Sequence, residues 1–162
     1  MRFGEALLPE FDEEMATTRR LLERVPSEHG EWKPHPKSFA LGHLAQLMSW
    51  MPGWITQCLS ETALDLSSAG SYSFEPTEKL VAQFDQNVRE ARKALASASD
   101  ADFEVPWSLT RGDQVLFSAP RGVVVRQTIN HLVHHRGQLT VYLRLRDVPI
   151  PSIYGPTADE KW

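Results

Sequence analysis

Three of the six histidines fall in helical patterns at spacings that let their imidazoles meet: His131 and His135 in NHLVHHRGQ, and His43 in LGHLAQLM. Two imidazoles at i and i+4 have Cβ atoms roughly 5 to 6 Å apart, close enough to grip one ion at about 2.0 to 2.1 Å per Zn–N bond. A third from a facing helix would complete a triangle. Three neutral nitrogens leave a divalent ion Lewis-acidic with open positions, so that a water or thiol held there loses its proton near neutral pH. The same spacing has a second reading, in which each imidazole fills an amphipathic helix and its ring nitrogens are satisfied by neighbours or water.

Helical geometry decides which histidines share a face. At about 100° per residue, with His131 at the origin, His135 falls near 40°, beside Val124 and Tyr142 near 20° and Leu139 near 80°. That is the inward stripe. His134 falls near −60°, at the edge of the polar arc holding Arg126, Asn130 and Arg144, and is expected to face solvent or an interface. On the earlier helix His43 shares its core-facing stripe with Phe39, Leu47, Trp50 and Trp54. Trp50, Trp54 and Tyr142 are read as core that can also line a substrate pocket, with Trp50 and Tyr142 taken as the substrate-binding candidates. Arg136 and Gln138 flank the pair and are expected to make a salt bridge or a helix-end contact. His29 and His35 lie in a proline-rich connector and are expected at the surface. Cys58 is about 22 Å from His43 along a continuous helix, too far to share its site, and reads as a core thiol.

The elements that must hold these groups follow from hydrophobic periodicity. Helices are expected over residues 2–25, 38–60, 77–98 and 120–147, the second opening at Ser38 as N-cap and kinking at Pro52-Gly53. PSEHGEWKPHPK, residues 26–37, is a connector, and residues 65–73 form a Ser/Gly/Asp-rich loop. Val105, Trp107 and Leu109 alternate, as do Val115 and Phe117, around an Arg111-Gly112-Asp113 turn; this reads as a short β-hairpin or an extended loop before the last helix. Asp159 to Trp162 reads as an ordinary charged terminus. The whole, residues 1–162, is expected to be one all-α domain, a four-helix bundle.

Composition narrows the function. With 17 Lys plus Arg against 21 Asp plus Glu the net charge is −4, so no bulk positive field favours nucleic acid or anionic lipid. The single cysteine excludes an internal disulfide and a CxxC redox or zinc pair. No apolar run reaches the roughly 18 residues that span a bilayer, and no signal peptide is visible, so a cytoplasmic location is expected. The chain has no Gly-rich phosphate loop, GxSxG elbow or evident carboxylate pair, and no general base is identifiable.

Trp32-Lys33-Pro34-His35-Pro36-Lys37-Ser38 leading to Leu41-Gly42-His43-Leu44, the run His131-Leu132-Val133-His134-His135-Arg136-Gly137-Gln138-Leu139, and the tail from Pro151 to Glu160 together resemble the DinB (damage-inducible) family of the DinB/YfiT-like superfamily. That family is unrelated to the polymerase of similar name. The resemblance spans nearly the whole chain. It implies an up-up-down-down four-helix bundle, often a homodimer, with a three-histidine site for one divalent ion of zinc or nickel type. Carried over position by position, the ligands are His43, His131 and His135, and His134 occupies a position the motif leaves free. Related superfamily members transfer or isomerise with low-molecular-weight thiols. The expected function is therefore activation of such a thiol for transfer to an electrophilic small molecule. The alternatives are metal-dependent hydrolysis and a non-enzymatic, metal-bound dimeric stress-response module.

Overall fold

The first helix buries Leu7, Phe11, Met15, Thr18 and Leu22 along one face, at spacings of three and four. This is α1, Phe3–Leu22, in a computed structural model that describes residues 2–68, 70–73 and 75–161. It ends three residues before the expected Val25. There the amides of Arg24 and Val25 fold back onto the Leu21 and Leu22 carbonyls, and Pro26 disfavours helical geometry at the residue before it.

The second helix, α2, is Leu41–Ser60. Ser38 is not its cap: Ala40 holds the cap position and makes no side-chain bond. The amides of Leu41 and Gly42 instead donate to the carbonyls of Trp32 and Gly30, both at 2.8 Å. The connector thus satisfies donors that a helix start leaves orphaned. Gly42 is what permits so close an approach, because a Cβ there would lie 2.8 Å from the Tyr72 hydroxyl and 3.2 Å from Gly30. The helix runs as one element through Pro52.

Chain direction then changes through β1, Ala63–Asp65, and a single 3-10 turn, Leu66–Ser68. The expected loop over 65–73 therefore begins inside a strand, and its Ala69 lies outside the described residues. The third helix, α3, is Thr77–Ser97. The connector holds its start as well: Ser27 Oγ accepts from the Thr77 amide at 2.9 Å, and Thr77 Oγ1 donates to the Val25 carbonyl at 2.6 Å. A short helix not expected from the sequence, α4 (Asp100–Glu104), opens with a reciprocal Ser99–Asp102 capping box and buries Phe103.

The hairpin is present: β2, Pro106–Arg111, pairs antiparallel with β3, Gln114–Pro120. Its turn places Gly112 at φ +55°, a backbone geometry that suits glycine. The expectation of an all-α fold is corrected here: β1 adds to β2 in parallel and makes a three-stranded sheet in the order β1-β2-β3 beside the helices. Three residues, Ala-Leu-Asp, are too few to show alternation in a sequence. Their pairing is fixed from outside, by Asp65 Oδ1 accepting from the Gly112 amide at 3.0 Å across the hairpin turn.

The last long helix, α5, is Arg121–Arg144. Pro120 precedes it as cap because Pro120 is still paired with Pro106 in the sheet. Among the four long helices, α1 packs on α3 and α5, and α2 packs on the same two. Between them lies one continuous cluster of buried side chains that includes Phe11, Leu44, Met48, Phe84, Leu95, Ile129 and Leu139. The tail is not an ordinary charged terminus. Asp159 pairs with Arg144 at 2.5 Å and accepts from the Ile150 amide, while Glu160 pairs with Arg20 at 2.5 Å and accepts from the Ser152 amide. Trp162 lies outside the described residues.

Candidate metal centre and the cleft beside it

The i, i+4 pair on α5 converges. His131 Nε2 and His135 Nε2 lie 2.9 Å apart, with ring centroids 4.6 Å apart. His135 is buried, 7% exposed, and its Nδ1 donates to Gln138 Oε1 at 2.7 Å. An amide oxygen can only accept, so this bond places the His135 proton on Nδ1 and leaves Nε2 with its lone pair. The neutral pair is then completed by His131 Nε2 donating to His135 Nε2. His131 itself stands exposed at the rim, not in the core as its stripe suggested.

The electrostatics favour unprotonated rings. Although its side chain stands at the rim, partial desolvation against the surrounding residues lowers the His131 pKa, with help from the neighbouring His135 and His134. Burial also lowers that of His135, opposed in part by the Gln138 bond. His43 is lowered by burial and by Lys33. Neutral imidazole is the form that ligates metal.

His43 opens α2, half-buried, with its ring stacked on Tyr72 at 4.7 Å and 14° and against Phe39 at 4.4 Å. It does not converge with the α5 pair: among the described residues no three His, Cys, Asp or Glu side chains come together closely enough to hold an ion. The donor set on α5 fits a metal by itself. Two nitrogens at about 2.0 to 2.1 Å from a tetrahedrally bound ion lie roughly 3.3 Å apart, so the pair would open by only a few tenths of an ångström to accept one. The His43 ring would have to turn from its stack to join them.

The other candidates separate. His134 is exposed, its ring edge-on to His135 at 5.2 Å, as the helical arc requires. His35 is exposed and His29 half-buried against Arg146. Cys58 is a buried thiol whose pKa burial pushes up to about 11. Trp50 is not beside the pair; it lines a cavity toward α3 with Gln46, Ser49, Lys79 and Gln83. Helix α2 packs on α3 along one flank and on α5 along the other, so a difference of about 40° around the helix sends Trp50 and Trp54 to different neighbours. Tyr142 meets Trp32 edge-on at 5.9 Å and donates to the Phe39 carbonyl at 3.3 Å, on the His43 side of the cleft.

Trp54 does reach the pair, its ring 6.1 Å from that of His131. The two border a cavity of about 320 Å³ between α2, α5 and the sheet. The sequence reading missed its sheet wall, although the alternation of Trp107 with Leu109 already carried half of it. It also missed Tyr72, which a loop sequence gives no periodic reason to single out. Arg136, expected in a salt bridge, makes one: it is 1% exposed, 2.6 Å from a Glu14 carboxylate oxygen, and donates to Thr18 Oγ1 and the Tyr154 hydroxyl.

An uncharacterised protein of Bacillus subtilis strain 168, YrdA, is 27% identical over 156 residues, covering 96% of this chain and 89% of that protein. The crystal structure of a DinB-like protein from Bacillus subtilis superposes with a TM-score of 0.69 at 15% identity, covering 88% of this chain and 92% of the other. A DinB-like protein from Bacillus cereus ATCC 10987 gives 0.67 at 22%, covering 93% and 97%. These two likenesses establish the shared fold. The family model described as DinB family matches residues 1–161, and the chain belongs to that family.

Proposed function

We propose that this protein holds one divalent ion, of zinc or nickel type, through His131 and His135 with His43 as third ligand, and activates a low-molecular-weight thiol for transfer to an electrophilic small molecule. The observation that carries the reading is the convergence of two neutral imidazole nitrogens at 2.9 Å, one of them fixed in its tautomer by Gln138. Second-row bonds of this kind are what orient histidine ligands in metal sites. When bound, the ion supplies Lewis acidity, lowering the pKa of a thiol in an open position.

This chain's own residues do the rest. Gln138 keeps the His135 lone pair aimed at the cleft. Tyr72 and Phe39 hold the His43 ring at the mouth of α2 until it turns. The reacting thiol comes from outside, because Cys58 is buried, 1% exposed, with a pKa near 11. The same reading includes an up-up-down-down bundle, which the pairing of α1 and α2 each with α3 and α5 supports, and a homodimer, which light scattering giving the mass of one chain at micromolar concentration would remove. No described helix is long and apolar enough to cross a membrane, in keeping with a small-molecule substrate met in water.

Elemental analysis of purified variants tests the centre. His43→Ala, His131→Ala and His135→Ala are each expected to lose most of the bound metal. His29→Ala and His35→Ala are expected to leave the stoichiometry unchanged. Equal metal content in all five would end the reading. Metal-loaded protein assayed with thiol cosubstrates plus electrophiles, against simple esters and amides, separates transfer from hydrolysis.

A further inference from the structure

The sheet has a role that neither the histidines nor the helices account for. Its register sets Leu64 of β1 opposite Leu109 of β2, and Leu109 opposite Phe117 of β3. Directly opposed residues in a sheet project to the same face. One apolar row therefore crosses all three strands, and all three residues line the 320 Å³ cavity, with Trp107 two residues along β2. Trp54 of α2 and Val124 of α5 form the opposite wall, and His131 closes one end. The sheet is a roof over the groove between α2 and α5.

We propose that this cavity binds a neutral, mostly apolar small molecule of two-ring size with one hydrogen-bonding group, held next to His131. Size comes from the volume: an apolar protein cavity of roughly 150 Å³ takes up benzene, and this one is about twice as large. Neutrality comes from the lining. The residues lining it with hydrogen-bonding groups are Gln57, Gln127, Thr128, His131 and the indoles Trp54 and Trp107, and among the described residues no carboxylate, ammonium or guanidinium group borders it. A charged ligand would be desolvated there without an opposite charge to meet. Only the orientation of the ligand, with its reactive end toward His131, rests on the thiol-transfer reading; occupancy of the cavity does not.

The probe is 1-naphthol, titrated by calorimetry into the full-length protein after chelator treatment, with tryptophan emission followed in parallel because Trp54 and Trp107 both line the cavity. Saturable binding of one molecule per chain is expected, at least 10-fold tighter than 1-naphthalenesulfonate. Leu109→Glu is expected to weaken it at least 10-fold, whereas Val115→Glu, on the same sheet but outside the cavity and 59% exposed, changes it less than 2-fold. Should circular dichroism show Leu109→Glu unfolded, Thr128→Trp, at a half-buried helix position, fills the same space with the same expected loss. Absence of saturable binding, or affinity unchanged in the folded cavity variant, overturns the proposal. Metal in the protein as purified, with no naphthol binding after chelation, defeats the cavity alone; naphthol binding by a protein that carries no metal as purified and takes none up when zinc or nickel is added defeats the metal centre alone.

Discussion

His135 and Arg136 are neighbours in sequence, are both buried, and spend their polar atoms in opposite ways. Arg136 turns toward α1 and the tail, where Glu14, Thr18 and Tyr154 take up its donors, the Tyr154 ring lies 5.1 Å from the guanidinium carbon, and the Tyr154 hydroxyl donates on to Glu14 at 2.7 Å. His135 finds its partners on α5 itself, its Nδ1 bonded to Gln138 and its Nε2 lone pair facing the His131 imidazole. A buried polar group whose partners are all supplied by the fold is doing structural work. One whose second ring nitrogen faces only another neutral imidazole, with a dedicated partner on the opposite nitrogen, can exchange that one hydrogen bond for a metal ion. The HRGQ run thus joins a bolt to a socket.

The comparison breaks first at Arg136. Removing one partner of a buried ion pair leaves an uncompensated charge, typically at a cost of about 3–5 kcal/mol. Arg136→Ala is expected to lower unfolding free energy by about that amount in a denaturant titration, with Glu14 left half-buried and only the Tyr154 hydroxyl donating to it. A loss under about 1 kcal/mol would mean that the tail and α1 do not depend on the bolt. On the socket side Gln138→Ala is expected to spare stability and weaken metal affinity about 10- to 100-fold, the usual effect of losing the partner that orients a ligating histidine. Competition with a chromophoric chelator measures it, and an unchanged affinity would make Gln138 a bystander.

How much of this was written in the sequence depends on the range of the interactions. The four long helices were legible to within three residues at each end because apolar periodicity is local. Their exact starts were not, since the donors of α2 are satisfied by Trp32 and Gly30 and the start of α3 by Ser27, partners that no local pattern reveals. The hairpin was legible from alternation; β1 was not, being three residues held by a parallel neighbour 45 positions away. The pairing of His131 with His135 followed from helical spacing alone. The place of His43 did not, because its ring answers to Tyr72, and that contact is made by a loop. Trp50 and Trp54 show the limit of angular arithmetic, since a wide buried face touching two helices needs the packing to say which residue goes where.

Cys58 gives a smaller effect that sharpens the same contrast between structural and available groups. With its pKa near 11, roughly one thiol in a thousand is ionised at pH 8. A thiol-reactive disulfide reagent is expected to leave the folded protein unlabelled for hours and to label one site per chain in denaturant. Prompt labelling of the folded protein would place Cys58 within reach of the cleft chemistry.

The smallest expected effect is at His134, and it tests the helical assignment most directly. His134 is adjacent to His135 in sequence and its ring is 5.2 Å away, yet it is exposed and lies about 100° farther round the helix from the stripe of Leu132, His135 and Leu139. An exposed side chain outside any buried network usually contributes within about 0.5 kcal/mol of stability. His134→Ala is therefore expected to leave the melting temperature within about 2 °C, metal stoichiometry unchanged and metal affinity within about 2-fold, while His135→Ala empties the site. If the two variants exchanged behaviour, α5 would present a different face to α2 from the one that buries Leu132, His135 and Leu139, and the contrast between socket and bolt would have to be drawn again around His134.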